Sequence, residues 1–238
     1  MLLAARSPLA PSCGVGSGRG EKSWRVLGAF PTALYAGHPE HGVLAVVTSD
    51  GLALPTAWRL PVASSQVRWG VGAGDPLQVG VSEIRLPHNT IRAVRTWRPA
   101  RVHPCGARAR GSGVMRDDWI EDRIGRGPGL TPEGDDEICG ALLVAYAAGD
   151  PHLSDVAHGL LHRTTALSAS LVAAAIDGYA VPELVTYADA ALRGRPTNGL
   201  RAQVSRIGHT SGSALLRGVD HAIANLTIAN LTKERLSA

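Results

Sequence analysis

The chain has few aromatic residues, and this scarcity limits how its core can be built. Aromatic residues make up 4% of its 238 residues, and Phe30 is the single phenylalanine. Apolar residues nevertheless reach 45% and charged residues only 18%, which excludes wholesale disorder. The core must therefore consist mainly of alanine, valine, leucine and isoleucine. The length suits one large domain or two small ones.

Cysteine and long apolar runs are also scarce. The three cysteines, Cys13, Cys105 and Cys139, form no C-x-x-C pair, which argues against a disulfide scaffold and a structural zinc site. No run approaches the roughly 18 apolar residues of a membrane helix. Arg6 and the prolines after it interrupt any signal-like stretch. We therefore expect a cytoplasmic protein without a membrane partner, in which residues 1–21 form a flexible N-terminus.

Lysine contributes little to the positive charge. The formal net charge is +4, and only Lys22 and Lys233 among the 24 basic residues are lysine. The densest basic stretch consists of six arginines, Arg92, Arg95, Arg98, Arg101, Arg108 and Arg110. Because this stretch lacks lysine and has Trp97 as its one aromatic residue, it favours a solvated face or an acidic partner over nucleic acid.

The pattern of apolar residues predicts an α+β fold with two domains. Residues 22–116 contain short apolar runs between turn residues, and Leu77–Val81 shows the alternation of a half-buried strand. The pattern in this half predicts a small β-sandwich or barrel. The end of this half, residues 99–116, has the composition of a linker. Residues 117–238 carry helical periodicity and predict an all-helical bundle.

A glycine-rich stretch at residues 125–137, GRGPGLTPEGDDE, leads into the first long helix of that bundle. We expect Thr131 to be its N-cap and Pro132 its first helical residue. Gly127 and Gly129 would let an anion approach the free N–H groups of the helix start. Gly134 costs on the order of 1 kcal/mol relative to alanine inside a helix, so a ligand or another backbone should press against it. An ordinary loop with an acidic cap fits the same residues.

Two further helix starts are rich in hydroxyl groups. The first contains Thr164, Thr165 and Ser168, and the second, at residues 208–213, contains His209, Thr210, Ser211 and Gly212. Each could be a cap, and His209 could be a structural histidine rather than a group that moves a proton. Their recurrence suggests that all three starts converge on one cleft.

Four acids complicate the binding of an anion at the first start: Glu133, Asp135, Asp136 and Glu137. Either a divalent cation lies between them, or some acids point away, or they bind the amide or amine end of a substrate. Oxygen ligands of this kind suit Mg²⁺, which Asp135 and Asp136 would hold.

At these motifs the chain resembles a bacterial family, long catalogued as a domain of unknown function, that includes the small subunit of oxamate carbamoyltransferase. That enzyme belongs to anaerobic allantoin degradation, a branch of purine catabolism. The matching pieces are GRGPGLTPEGDD at 125–136, TTALS at 164–168 and GHTSG at 208–212. The resemblance covers roughly residues 22–228. Glu133 and Glu137 are departures, since the family commonly has a serine and then an aromatic residue there.

The resemblance implies transfer of a carbamoyl group, with oxalurate and phosphate giving oxamate and carbamoyl phosphate. His209 would transfer a proton at the amide nitrogen. Asp135 or Asp136 would orient His209 or bind the amine end. The small anionic substrate would be held by residues of all three motifs, namely Gly127, Gly129, Thr131, Gly134, Thr164, Thr165, Ser168, Thr210, Ser211 and Gly212.

The family enzyme has several different subunits, so we expect other protein subunits as partners. Three alternatives remain open at this point. The chain could be a non-catalytic assembly subunit that uses its hydroxyl groups only as caps. It could be a relative recruited to other chemistry on small carboxylates, or an arginine-rich protein that binds nucleic acid.

Overall fold

A computed structural model of the protein describes residues 1–11, 24–105 and 115–236. They form two compact units, which divide the chain between Pro99 and Ala100. The sequence placed this boundary after residue 116. The difference arises because Ala100–Arg101 pairs in an antiparallel ladder with Tyr179–Ala180, a strand of the second unit. Cys13, Arg108 and Arg110 lie outside the described residues.

The first unit is a closed barrel of eight strands. The strands are β1 (Leu2–Arg6), β2 (Trp24–Phe30), β3 (Ala33–His38), β4 (Gly42–Val47), β5 (Ala57–Arg59), β6 (Pro76–Val79), β7 (Glu83–Leu86) and β8 (Asn89–Thr96). Around the barrel they follow the order β1-β5-β4-β3-β2-β6-β7-β8. The prediction of a β-rich N-terminal half is confirmed, and of the two expected architectures the chain has the barrel.

The expectation of a flexible N-terminus is wrong for residues 2–6, because these residues form strand β1. It pairs with β8 in parallel and with β5 in antiparallel orientation, so it closes the barrel. Ala4 faces the barrel core and is 2% exposed. The arginine and prolines that suggested flexibility mark the end of a strand instead. The remainder of that segment, from residue 12, lies outside the described residues.

Tryptophan fills much of the barrel interior. Trp24, Trp58 and Trp69 belong to its buried cluster, together with aliphatic residues such as Ile84 and Ile91. A barrel of eight strands leaves an interior that side chains must fill, and the large indole rings do this with few residues. The expectation of a mainly aliphatic core therefore underrated the aromatic contribution here.

The second unit is mainly helical. Its strands are β9 (Ala100–Arg101) and β10 (Tyr179–Ala180), and its helices are α1 (Asp117–Glu121), α2 (Glu133–Ala148), α3 (Pro151–Leu160), α4 (Ala166–Ile176), α5 (Pro182–Leu192), α6 (Asn198–Val204) and α7 (Ser211–Leu236). Helix α2 is central, and most of its residues are buried. The predicted helical half is confirmed. Among the described helices, none combines the length and apolar character needed to span a bilayer.

Two arginines of the predicted stretch, Arg92 and Arg101, belong to different units. Arg92 pairs with Glu83 in the barrel unit, with 3.5 Å between nitrogen and oxygen. Arg101 belongs to the second unit, where its guanidinium stacks over the rings of Tyr146 and Tyr179 at 4.7 and 4.8 Å. These arginines therefore have separate local partners.

Candidate functional site

Two consecutive aspartates at the start of α2 are buried. Asp135 is 1% exposed and Asp136 is 7% exposed. Pro132 occupies the N-cap position, so Thr131 lies one residue before the cap and does not fill the predicted role. Proline, which lacks an N–H group, is well tolerated at a helix start. Carboxylates are rarely buried unless they find partners, so the surroundings of the two aspartates are informative.

Asp135 ties the loop before α2 to the segment before α4. One carboxylate oxygen accepts a hydrogen bond from the backbone N–H of Gly125 at 2.7 Å. The other accepts a hydrogen bond from the hydroxyl of Thr164. Both oxygens thus bond to the first and second motifs, and neither bonds to His209. Asp135 therefore links these two motifs through its hydrogen bonds.

Asp136 faces the start of α7, and its carboxyl group has fewer hydrogen-bond partners than that of Asp135. Its carboxyl group is hydrogen-bonded to the side chain of Ser211 in the third motif. Its Oδ2 atom is buried and has no hydrogen-bond partner among the described residues. Burial, together with the charges of Asp135 and Glu133, raises the pKa of Asp136 to about 7 despite the bond to Ser211. This carboxyl group can therefore hold or release a proton near neutral pH.

Thr165 supplies a second link between the first two motifs. It is the N-cap of α4, where its hydroxyl accepts a hydrogen bond from the N–H of Ser168 at 3.1 Å. The same hydroxyl donates to the carbonyl of Leu130 at 2.6 Å. With the bonds of Asp135 and Asp136, this contact brings all three helix starts together around the first turn of α2.

Backbone packing accounts for two of the predicted glycines. A Cβ atom on Gly134 would lie 2.1 Å from the carbonyl oxygen of Arg123, and one on Gly212 would lie 2.1 Å from that of Val204. Of the two explanations left open for Gly134, the structure supports a second backbone pressed against it. Both glycines are buried and contribute to close packing.

Gly129 differs from these two glycines. Its φ of +91° belongs to the left-handed region, and a Cβ there would meet no atom within 4 Å. Gly127, with φ of +122°, is exposed like Gly129, while Thr131 is half-buried. A Cβ on Gly127 would lie 2.8 Å from the backbone nitrogen of Glu133, so the open space beside the loop backbone lies at Gly129.

The remaining predicted residues differ widely in exposure. His209 and Thr210 are exposed, Thr164 and Ser211 are half-buried, and Ser168 is 2% exposed. The histidine thus lies at the solvent-facing edge of the cluster, whereas Asp136 lies inside it.

Two arginines neutralise the outer acids of the motif. Arg217 on α7 pairs with Glu133 and with Glu137, the latter at 2.8 Å. Arg123 pairs with Glu137 at 2.8 Å and stacks over the ring of Trp119. Burial tends to raise the pKa of Glu137, but the two arginines outweigh it and the pKa lies below its usual value. These two glutamates therefore point towards arginines, one of the arrangements that the sequence left open.

Sequence reasoning missed Arg123 and Arg217. Arg123 precedes the glycine loop, and Arg217 follows Ser211 by six positions on α7. Both pair with Glu137. Arg217 does so because α7 crosses α2, and Arg123 because the segment before the glycine loop packs against α2. No local sequence pattern indicates either contact.

The described residues show no cluster of three or more histidine, cysteine or acidic side chains arranged to hold a metal ion. Asp135 and Asp136 bond to different elements, Thr164 and Ser211 respectively. The Mg²⁺ site predicted at this pair of aspartates stays a prediction.

Two surface cavities of about 400 Å³ lie elsewhere in the chain. One, in the helical unit, is lined by residues that include Trp119, Arg123 and His221. The other belongs to the barrel. Neither is lined by the residues of the three motifs.

Comparison with known families agrees with the motifs. The family model described as oxamate carbamoyltransferase subunit AllH matches residues 123–223, a range that begins just before the glycine loop and contains all three motifs. No solved structure matches this chain. The match at residues 123–223 supports assignment to the family of oxamate carbamoyltransferase subunit AllH, the family that the three motifs predicted.

Proposed function

We propose that this chain is a carbamoyltransferase subunit that takes part in the transfer itself, acting on a small anionic amide such as oxalurate. The observation that carries the proposal is Asp136. It is a buried carboxyl group with a raised pKa and an unpartnered oxygen, at the junction of the three motifs within the family match. Groups of this kind occur at sites that bind substrates or move protons.

The proposed reaction breaks one C–N bond and forms one C–O bond. An oxygen of phosphate attacks the carbamoyl carbon of oxalurate, and the bond from that carbon to the oxamate nitrogen breaks. The nitrogen takes up a proton, so the products are oxamate and carbamoyl phosphate. Negative charge that develops on the carbamoyl oxygen needs fixed donors nearby, which the N–H groups of the glycine loop would supply.

Two residues have proposed roles in proton movement. The protonated carboxyl group of Asp136 would donate a hydrogen bond to the amide end of the substrate. His209, exposed at the edge of the cluster, would deliver the proton to the leaving nitrogen. Gly127, Gly129 and Thr131 would contact the anionic end, which the open space at Gly129 would admit. A substrate that reaches Asp136 must displace part of the local packing.

A second candidate is an assembly subunit without a catalytic role. Its specific support is that Thr164 and Thr165 already have structural partners in Asp135 and Leu130. On this alternative the three motifs hold the helical unit together and present it to another subunit.

The experiment is reconstitution with the products of neighbouring genes, followed by an assay of carbamoyl phosphate formed from oxalurate and phosphate. Asp136→Asn keeps the shape but cannot titrate, and we expect it to lower kcat by about a hundredfold. Asp122→Asn is the matched control, because Asp122 is an exposed aspartate of the same unit.

Size-exclusion chromatography separates the two candidates. Normal assembly with lost turnover supports a catalytic role for this chain. Normal assembly and full activity of Asp136→Asn would contradict it and favour the assembly subunit. No product from the intact wild-type complex would contradict oxalurate as the substrate.

A further inference from the structure

The barrel unit carries a cavity of about 400 Å³ with a strongly cationic lining. Its lining includes Ala5, Ser49, Arg59, Arg95, Thr96 and Trp97. All of these residues belong to the barrel, so the cavity is separate from the three helix starts. Nothing in the family comparison covers it, because the match begins at residue 123.

Strand register places the two arginines on either side of a small residue. Ala5 of β1 lies opposite Arg59 of β5 in one ladder and opposite Arg95 of β8 in the other. Residues paired in this way project from the same face of the sheet. The methyl group of Ala5 fills little space, so a gap remains between the two guanidinium groups.

A β-bulge brings Arg95 into this position. Ala4 pairs with Ala93, but the next residue, Ala5, pairs with Arg95 because the register shifts at Val94. Without the bulge, the exposed apolar side chain of Val94 would lie beside Ala5 instead. Bulges often re-aim side chains at functional sites, and here the result is a second cation.

Trp97 gives the cavity a fixed wall. Its indole Nε1 donates a hydrogen bond to the carbonyl of Ala57 at 3.0 Å. The guanidinium carbon of Arg59 lies 5.3 Å from the centre of the Trp97 ring. This cation–π contact restricts Arg59 before any ligand arrives, which lowers the entropic cost of binding.

Neither Arg59 nor Arg95 makes an ion pair within the part of the chain that the structure describes. Arg92, on the same strand as Arg95, is paired with Glu83. The acid next to the cavity in sequence, Asp50, directs its oxygens to Thr48 and Ser64. The charges of the two cavity arginines are therefore uncompensated.

We propose that this cavity binds a small oxyanion, a phosphate group or a compact carboxylate, between Arg59 and Arg95. Guanidinium groups match the paired oxygens of both anions, and the hydroxyls of Ser49 and Thr96 add further donors. The volume lies within the range of small-molecule sites. The proposal does not depend on the activity proposed above, since binding concerns the barrel alone.

The test is calorimetric titration of the full chain with inorganic phosphate and, separately, with oxalate, using uncharged oxamide as the neutral control. We expect saturable binding of at least one anion, and the tighter one identifies the natural chemistry. Arg59→Gln and Arg95→Gln should each weaken the affinity for that anion by about tenfold or more. Arg68→Gln, which removes the same charge from an exposed position outside the cavity, should leave the affinity unchanged.

Three results would overturn the proposal. They are the absence of binding for both anions, equal binding of oxamide, and unchanged affinity in the two cavity variants. Circular dichroism checks that each variant is folded. If Arg59→Gln fails to fold, Arg95→Gln carries the test, because the side chain of Arg95 is exposed.

Discussion

Asp135 and Asp136 are consecutive residues of the same type, but their carboxyl groups have different hydrogen-bond partners. Successive residues of a helix point in directions about 100° apart. Asp135 therefore meets Gly125 and Thr164, while Asp136 meets Ser211 and keeps one buried oxygen unpartnered. The sequence identified the pair as a candidate but could not separate their roles, because the difference depends on which elements pack on each side of α2.

Gly134 gives the first prediction at the scale of a single residue. Gly134→Ala should lower the free energy of unfolding by about 1–3 kcal/mol, because the new Cβ would overlap the carbonyl oxygen of Arg123. Chemical denaturation measures this. Gly159→Ala is the control, since Gly159 is exposed in helix α3 and its Cβ would meet no atom within 4 Å. Gly159→Ala should raise the free energy of unfolding by about 0.5–1 kcal/mol. Equal effects of the two changes would contradict the packing described for Gly134.

At the scale of elements, the crossing of α2 and α7 organises the helical unit. Gly140 on α2 faces the carbonyl of Leu215, and Gly218 on α7 faces the carbonyl of Glu137. The two backbones approach so closely that a Cβ at Gly140 would lie 2.2 Å from its neighbour. The same approach lets Ser211 reach Asp136 and Arg217 reach the glutamates of α2.

We expect Gly140→Ala to force α2 and α7 apart. The free energy of unfolding should fall by about 1–3 kcal/mol or more, and the pKa of Asp136 should shift because Ser211 moves. Thermal unfolding measures the first effect. Gly199→Ala in α6 is the matched control, because that position is exposed and open. A Gly140→Ala protein as stable as this control would show that the helices do not cross so closely.

Element boundaries and strands were predicted unevenly from the sequence. Helix α4 has Thr165 as its N-cap, one of the two neighbouring threonines that could have begun it, since the side-chain oxygen and the helical pattern agree locally. Strand β8 lies within the half predicted to be β-rich, but its arginines resembled a solvated charge stripe, so the bounds of this strand could not be predicted. A strand in a closed barrel can carry charged residues on its outer face. The sequence alone does not reveal that the barrel is closed.

For the whole molecule, composition and periodicity were sufficient to predict a β-rich half followed by a helical half. They could not give the strand order, in which β1 joins β5 and β8, because such long-range pairing depends on the complete set of strands. The motifs were sufficient to predict the family and the meeting of three distant stretches. They did not predict that Arg123 and Arg217 would neutralise the acids, since those contacts arise only from tertiary packing.

The raised pKa of Asp136 also links the site to the stability of the whole fold. An unfolded aspartate titrates near pH 4, whereas Asp136 in the folded chain titrates near pH 7. Between these values the folded chain binds more protons than the unfolded chain at this group. The contribution of Asp136 to stability therefore falls as the pH rises from about 4 to about 7.

The most direct test of the account is a carbon-13 NMR titration of the aspartate carboxyl groups, with Asp136→Asn identifying the resonance. We predict that Asp136 titrates near pH 7 in the folded chain and near pH 4 in urea, because the three helix starts enclose it only when the chain is folded. A titration near pH 4 in the folded chain would contradict the burial of Asp136 at the junction of the motifs, and with it the site proposed here.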